Sequence, residues 1–393
     1  MLEWLVLADD RTGALEVAGS LAVAAGPVPV VVHGGTAPPA SPVLVVDLAS
    51  RHLSASVVAS RASDWSVPAR RRLHKIDSTL RGRWADELVA VQRATRCRVL
   101  VVPALPRLGR TCCGGVVHVD GRPLTLDDPR HGPVEARPSV VLEDAGAGPV
   151  VLLAGAVEVM GWLLDPAAPG FAVCDATADA DLAAIAEAWA AADDVVLAGT
   201  SAALAAAVDV VVSRNDGVID GQGTTSPGGG VPGSLSVGFL SGVDRDGSGR
   251  ALTRSSGGGR LPSPVLVVVG SLHPVARGQV AALDDAGVDV EVLVTAVVDG
   301  PVADADAERV AAELAATARR RLAGGNVATL VLVGGDTAAA VLGDGVLVAG
   351  GTVAPGIPWS RRADGSGPLV VTKAGGFGDP RALVDLVTGG EGR

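Results

Sequence analysis

The sequence has no tyrosine, three phenylalanines and six tryptophans, so aromatic residues make up only 2% of its 393 positions. Its interior must therefore be aliphatic, and the 48% of hydrophobic residues, mostly Ala, Val and Leu, supply it. Cysteine is scarce as well. The four present, two of them adjacent at Cys112 and Cys113, are too few and too irregular for a disulfide framework or a zinc site. They read as inert thiols, because no His or resolving cysteine stands at motif spacing, and a reducing, cytoplasmic compartment is the expectation. Positive charge is in deficit. A net charge of −11 opposes contact with nucleic acid or anionic membrane. The one dense basic run, Arg70-Arg71-Arg72, reads as a solvated helix end rather than an anion site. Long apolar runs are missing too. The stretch 195–208 reads as a buried strand and a packed helix, not a membrane span, and MLEWLVLADD reads as a strand, not a signal peptide.

What the chain does have is alternation. Short β-branched runs at 4–8, 28–32, 43–47, 74–77, 98–103, 149–154, 171–174 and 194–198 are separated by Ala-rich helical stretches at 12–25, 54–64, 83–95, 156–164, 179–192 and 200–212. The pattern stops at 213–264, which is rich in Gly, Ser and Pro and reads as a linker with little structure, except for a candidate strand at 235–241. It then resumes, with strands at 265–270, 288–294, 327–333 and 368–372 and helices at 274–286, 303–323, 336–342 and 380–387. Continuous apolar strands between helices imply parallel sheets covered on both faces. The expected fold is α/β, with two domains, 1–212 and 265–393. Each is a mainly parallel sheet flanked by helices, and a cleft lies between them.

Polar residues gather where strands end, which is where ligands bind in open parallel sheets. The first strand runs into Asp9-Asp10, and Thr12-Gly13 then opens a helix. Two adjacent carboxylates there need a cation, a metal or hydroxyl groups, unless one caps the helix and the other is solvated. The segment 74–88 follows a β-run with Lys75, Asp77, Ser78, Thr79, Arg81 and Gly82, a mixture suited to a small polyhydroxylated anion. A third segment, 101–121, places Arg110 after a proline-bracketed turn, where it could face the same cleft. His118 reads as an edge-strand surface residue.

The second domain repeats a different junction three times. Gly270-Ser271 precedes His273-Pro274, Gly334-Gly335 precedes Asp336-Thr337, and the chain near its end reads TKAGGFGDP, with Gly375 and Gly376 in the turn. Glycines at strand ends and free N–H groups at helix starts make a cradle for phosphates. His273 reads as a cap or positioning residue. Neither a P-loop G-x-x-x-x-G-K-[ST] nor a G-x-G-x-x-G after the first strand occurs, which argues against P-loop NTPases and ordinary dinucleotide dehydrogenases.

Assembled, these segments resemble the four-carbon acid sugar kinases, which include D-threonate, D-erythronate and 3-oxo-tetronate 4-kinases. The match runs in order through ADDRTGA (8–14), DLASRHL (47–53), KIDSTLRG (75–82), PALPRLGRT (103–111), GTSAALA (199–205), VVGSLHPVARGQ (268–279), VGGDTAAAVL (333–342), APGIPW (354–359) and KAGGFGDP (373–380). The resemblance implies an N-terminal domain that binds an acid sugar and a C-terminal domain that binds ATP with Mg²⁺. Substrate contacts would be Asp9, Asp10, Arg51, Lys75, Asp77 and Arg81. ATP contacts would be Ser271, Gly334, Gly335, Asp336, Thr337, Gly375 and Gly376, and magnesium would come with ATP rather than with a side-chain cluster. Asp77 or else Asp10 would orient or deprotonate the terminal hydroxyl, with Asp379 as a rival. The chain departs from the family pattern at Arg11, Glu16 and Arg83 and in the turn AGGFG; the two arginines would add cations near the acid site. A non-catalytic binder and a dehydrogenase of similar acids are the alternatives, and a homodimer is left open. The whole reading requires Lys75 and Gly335 to face each other.

Overall fold

The computed structural model describes residues 1–35, 40–128, 132–214, 260–295 and 304–390. The Gly/Ser/Pro-rich stretch, with its candidate strand at 235–241, lies outside them almost entirely. In chain order the N-terminal half contains β1 (Leu2–Ala8), α1 (Arg11–Ala25), β2 (Val28–Val32), β3 (Val43–Asp47), α2 (Ala55–Asp64), β4 (Ala69–Lys75), α3 (Trp84–Thr95) and β5 (Arg98–Val102). A small excursion follows, with β6 (Arg110–Cys113), β7 (Val116–Val119), β8 (Arg122–Pro123), β9 (Asp127–Asp128), β10 (Gly132–Pro133) and α4 (Pro138–Asp144). The half closes with β11 (Val150–Leu153), α5 (Ala156–Leu164), β12 (Phe171–Cys174), α6 (Asp179–Trp189), β13 (Val195–Gly199) and α7 (Ser201–Ser213). The C-terminal half contains β14 (Val265–Val269), α8 (Pro274–Asp285), β15 (Glu291–Val294), α9 (Asp304–Ala323), β16 (Thr329–Val333), α10 (Gly335–Leu342), β17 (Leu347–Ala354), β18 (Ile357–Arg362), β19 (Leu369–Lys373) and α11 (Ala382–Thr388).

Both halves are mainly parallel sheets between helices, as the alternation implies. What the alternation does not give is that they fuse. Fourteen strands form one sheet in the order β11-β12-β5-β13-β4-β1-β3-β2-β17-β18-β19-β16-β14-β15. The eight strands from β11 to β2 are parallel, and so are β19, β16, β14 and β15. Between the two sets, β17 pairs antiparallel with β2, with Leu347 opposite Val30, and β17 and β18 form a hairpin.

This hairpin is absent from the strands read out of the sequence. Gly350 and Gly351 interrupt its apolar run, and the pairing shifts register there. The glycine is needed because the Trp359 ring lies flat on Gly350, where a methyl group would overlap it. β17 and β18 also pack on α1, with Gly19 against Pro358.

The core follows the strand period. In the C-terminal sheet Leu266 and Val268 belong to the large core shared with the N-terminal half, while Val265, Val267 and Val269 face a smaller one under α8 and α11. One apolar interior thus runs across both halves.

The basic run is a correction. Arg70, Arg71 and Arg72 are not a helix end but lie inside β4, near the middle of the sheet. Arg71 is 3% exposed; it donates to the carbonyls of Ala190 and Ala192 and stacks over Trp189 at 5.4 Å. Its charge satisfies a helix C-terminus from inside, a role that composition cannot distinguish from solvation.

Candidate active site

The C-terminal ends of five adjacent parallel strands build one wall. β1 leads into Asp9 and Asp10, β3 into Ser50 and Arg51, β4 into Lys75 and Asp77, β13 into Thr200 and Ser201, and β5 into the loop that reaches Arg110. Asp10 caps α1, its Oδ1 accepting from Gly13 N at 2.9 Å. Asp9 is not solvated but 1% exposed.

Arg51 ties the carboxylates together. Its Nε and Nη2 fork onto Asp9 at 2.7 and 2.9 Å, its Nη1 reaches Asp10 Oδ2 at 3.0 Å, and its Nη2 lies 3.9 Å from Asp77 Oδ1. Asp77 is in turn gripped by Arg81 through Nε at 3.0 Å and Nη2 at 2.8 Å, and by the Thr79 hydroxyl at 2.5 Å. A buried carboxylate cluster is tolerable only with such pairing. The outcomes differ between members. Burial, opposed chiefly by Arg51, pushes the Asp9 carboxyl up to about 6. Burial acts on Asp77 as well, but Arg81 and Arg51, with the Arg81 and Thr79 hydrogen bonds, hold it well below the usual carboxylate range.

A buried network stands behind Arg51. The Ser50 hydroxyl donates to Glu87, which also meets His74 Nε2 at 2.7 Å, and Glu87 is fully buried. Ser50 N and Arg51 N both donate to the Asp9 carbonyl. The loop that presents the guanidinium is therefore fixed by its backbone and by the side chain before it.

The second wall comes from the C-terminal half. Ser271 after β14, Gly334 and Gly335 after β16, and the turn Ala374–Gly378 after β19 converge. Gly334 N donates to Lys373 O at 2.9 Å, and a methyl group on Gly375 would overlap Ser271 Oγ. The His273 ring accepts from Val275 N at 3.2 Å and so caps α8. Burial, then the nearby Arg110, Arg81 and Lys373, push its imidazole below the ordinary value. That cationic field suits a polyphosphate. Sequence reasoning passed over Lys373. It is 1% exposed, its Nζ donates to Ala374 O at 2.9 Å, and burial pushes it down to about 8 with Asp379 acting against the shift. Lys75 makes the same bond, Nζ to Ile76 O at 2.9 Å, at the end of β4. A lysine ending a strand beside a glycine turn was the available signal. Gln279 is also buried, and its amide donates to the carbonyls of Phe377 and Asp379, fixing the turn from below.

The two walls meet. A side chain on Gly335 would overlap Asp10 Oδ2 and lie 3.2 Å from Thr12 Oγ1. His52 Nε2 is 3.2 Å from Asp336 Oδ1, and Arg110, bonded to Ser78, sits 5.3 Å over the Phe377 ring. Lys75 lies on the same side, packed beneath Gly13, which caps onto Asp10. Lys75 and Gly335 therefore both lie beside Asp10. Asp379 is exposed and caps the backbone of Arg381 at 2.7 Å.

Two expectations about cations fail. Arg11 does not add charge to the acid site: it is 2% exposed, bonds Asp47 at 2.8 Å and donates to Gly343 O at 3.1 Å. It joins α1 to the end of α10. Arg83 stays at the surface, 3.8 Å from Asp86.

Known proteins resemble this chain over nearly its whole length. Residues 4–208 match the model of a sugar-binding N-terminal domain, and residues 300–383 that of a nucleotide-binding C-terminal domain. A D-threonate kinase of Cupriavidus necator is 31% identical, covering 97% of this chain and 96% of its own. One of Bordetella bronchiseptica is 29% identical, covering 96% and 95%. Among solved structures, a putative tRNA synthase of Salmonella typhimurium LT2 superposes with a TM-score of 0.71 at 19% identity, over 98% of each chain. That likeness concerns the fold.

Proposed function

Because the chain belongs to the four-carbon acid sugar kinases, and is thus a phosphotransferase acting on an alcohol group, we propose that it uses ATP to phosphorylate the terminal hydroxyl of a four-carbon sugar acid. The observation that carries this reading is the contact between Asp10 and Gly335, a carboxylate of the acid-binding wall against the first turn of a glycine-opened helix. The names of the relatives support a threonate-like acid.

The residues present fit both ligands. Gly334 donates its N–H to Lys373 O. Gly335, Gly375 and Gly376 present backbone with no side chain, Ser271 and Thr337 stand beside them, and Lys373 adds a buried ammonium. Among the described residues no three of His, Cys, Asp or Glu gather as metal ligands would, so magnesium would be held largely by phosphate oxygens. Bound Mg-ATP would supply the phosphoryl group and neutralise its charge.

The chain's own residues do the rest. Lys75 and Arg110 have donors to spare for the acid's carboxylate. Arg51 spends its donors on Asp9 and Asp10, and acts as the clamp that fixes them. Asp77 has its oxygens filled by Arg81 and Thr79 and anchors the loop. Asp10, whose Oδ2 faces Gly335, is the group positioned to orient or accept the proton of the terminal hydroxyl. Closure of the walls excludes water and limits hydrolysis of ATP.

A coupled assay of ADP release across three- to five-carbon aldonic and keto acids tests the proposal. The expected result is acid-dependent ADP formation, strongest with a four-carbon acid. No turnover with any acid, despite ATP binding, would leave a non-catalytic binder; NAD binding in place of ATP would point to a dehydrogenase.

A further inference from the structure

Three side chains on the acid-binding wall each carry a buried polar atom that no other described residue satisfies with good geometry. Thr12 Oγ1, Glu16 Oε1 and Ser201 Oγ are all buried without a well-formed hydrogen bond, although the Ser201 hydroxyl lies close enough to the Glu16 carboxylate to favour its charged form. Glu16 is 5% exposed and Ser201 6%. Buried polar groups are nearly always paired, and an orphaned carboxylate oxygen is among the costliest exceptions. Other hydroxyls nearby are spent. Thr200, just before Ser201, donates to Ala104 O at 2.5 Å and caps α7.

Lys75 completes the picture. It is 7% exposed, and the one bond of its Nζ goes to Ile76 O, although an ammonium carries three donors. After burial, which raises the Glu16 carboxyl, the attraction of Lys75 is the largest influence on it. Yet Oε1 receives no bond from that lysine. Opposite charges held near each other without a hydrogen bond between them suit a group that both accepts from an ammonium and donates to a carboxylate. A hydroxyl group does both. Gly356, in the turn between β17 and β18, closes the far side, since a methyl group there would come within 3.1 Å of Glu16 Oε1.

We propose that Glu16, Ser201 and Lys75 form a subsite that reads one chain hydroxyl of the sugar acid. The substrate's O–H donates to Glu16 while its oxygen accepts from Lys75 or Ser201. A deoxy carbon at that position leaves the charges unpaired. A ketone there accepts from Lys75 but has no proton for Glu16. The subsite thus selects a hydroxyl over both a hydrogen and a carbonyl, and it rests on the reading that this wall holds a sugar acid.

The test pairs substrate and protein changes. Wild type, Glu16→Ala, Glu16→Gln and Ser201→Ala are compared on a four-carbon aldonic acid and its 2-deoxy and 3-deoxy counterparts, by kcat/KM and by calorimetric binding of the acid without ATP. One deoxy acid is expected to lose at least 100-fold with wild type. Glu16→Ala should shrink that ratio below about 10-fold, Glu16→Gln should keep part of it because an amide oxygen still accepts, and the KM for ATP should stay within about 2-fold. If Glu16→Ala does not fold, Ser201→Ala carries the same comparison. Equal losses on the acid and both deoxy acids, or an unchanged ratio, would overturn the subsite. Failure of every acid to bind wild type would instead overturn the sugar-acid reading beneath it.

Discussion

At the residue scale, neighbouring carboxylates on one wall carry different burdens. Asp77 is saturated by Arg81, Thr79 and, more distantly, Arg51, whereas Asp10 Oδ2 accepts a single bond, from Arg51, and lies against Gly335. Replacing Asp10 with Asn should lower kcat by about 10²–10⁴-fold while the KM for ATP changes little. Asp77→Asn should instead raise the KM for the acid and lower the melting temperature, because Arg81 and Thr79 lose the carboxylate they share. Steady-state kinetics and thermal melts of the two variants separate these roles. Lys373 makes a pH prediction. Its pKa is pushed down to about 8 from 10.5, so the cost of burying its charge is present below pH 8 and is relieved as pH rises from there toward 10.5. ATP binding runs the other way, since phosphates need the ammonium: affinity should be flat below about pH 8 and weaken above it. Lys373→Met should bind ATP more weakly throughout and lose that slope in calorimetric titrations. Asp9, Asp10, Lys75 and Asp77 could be picked out because sequence puts them at strand ends, and Arg51 only through the family resemblance. Lys373 also ends a strand, at a glycine turn, and was open to the same reading; the roles of Glu16 and Ser201 were not, because a buried polar atom left unsatisfied is a property of three-dimensional packing.

At the element scale, most strands and helices were legible because buried parallel strands are continuous apolar runs and the helices between them are Ala-rich. The β17–β18 hairpin was not, for the opposite reason: its strand contains two glycines, which weaken any strand signal. The structure needs one of them where the indole of Trp359 crosses the backbone. Gly350→Ala should therefore cost about 1–3 kcal/mol, by overpacking rather than by lost contacts. The midpoint of urea unfolding would shift down with an unchanged slope, and pairing the change with Trp359→Leu should recover part of the loss. The arginine run of β4 teaches the same lesson. Three consecutive cations look solvated, yet the one that points inward ends in carbonyls and an indole face.

At the scale of the whole molecule, the chain reads as two domains but folds around a shared interior. Arg11 holds Gly343, α1 packs on the hairpin, and a single sheet passes through the junction. The local periodicity that reveals each parallel set carries no information about which edge strand meets which, since that contact joins residues more than three hundred positions apart.

The pairing of β2 with β17 has a practical corollary. Val28–Val32 is a run of four valines and a proline with every residue buried, and it is shielded on its outer edge only by a strand from the other end of the chain. A gene truncated after residue 214 would yield a sticky ribbon with bare amides along that valine row, and such edges recruit copies of themselves. Expressed alone, that fragment should sediment as aggregates. Supplied in trans with 260–393, it should return to solution as a one-to-one pair, which gel filtration would reveal.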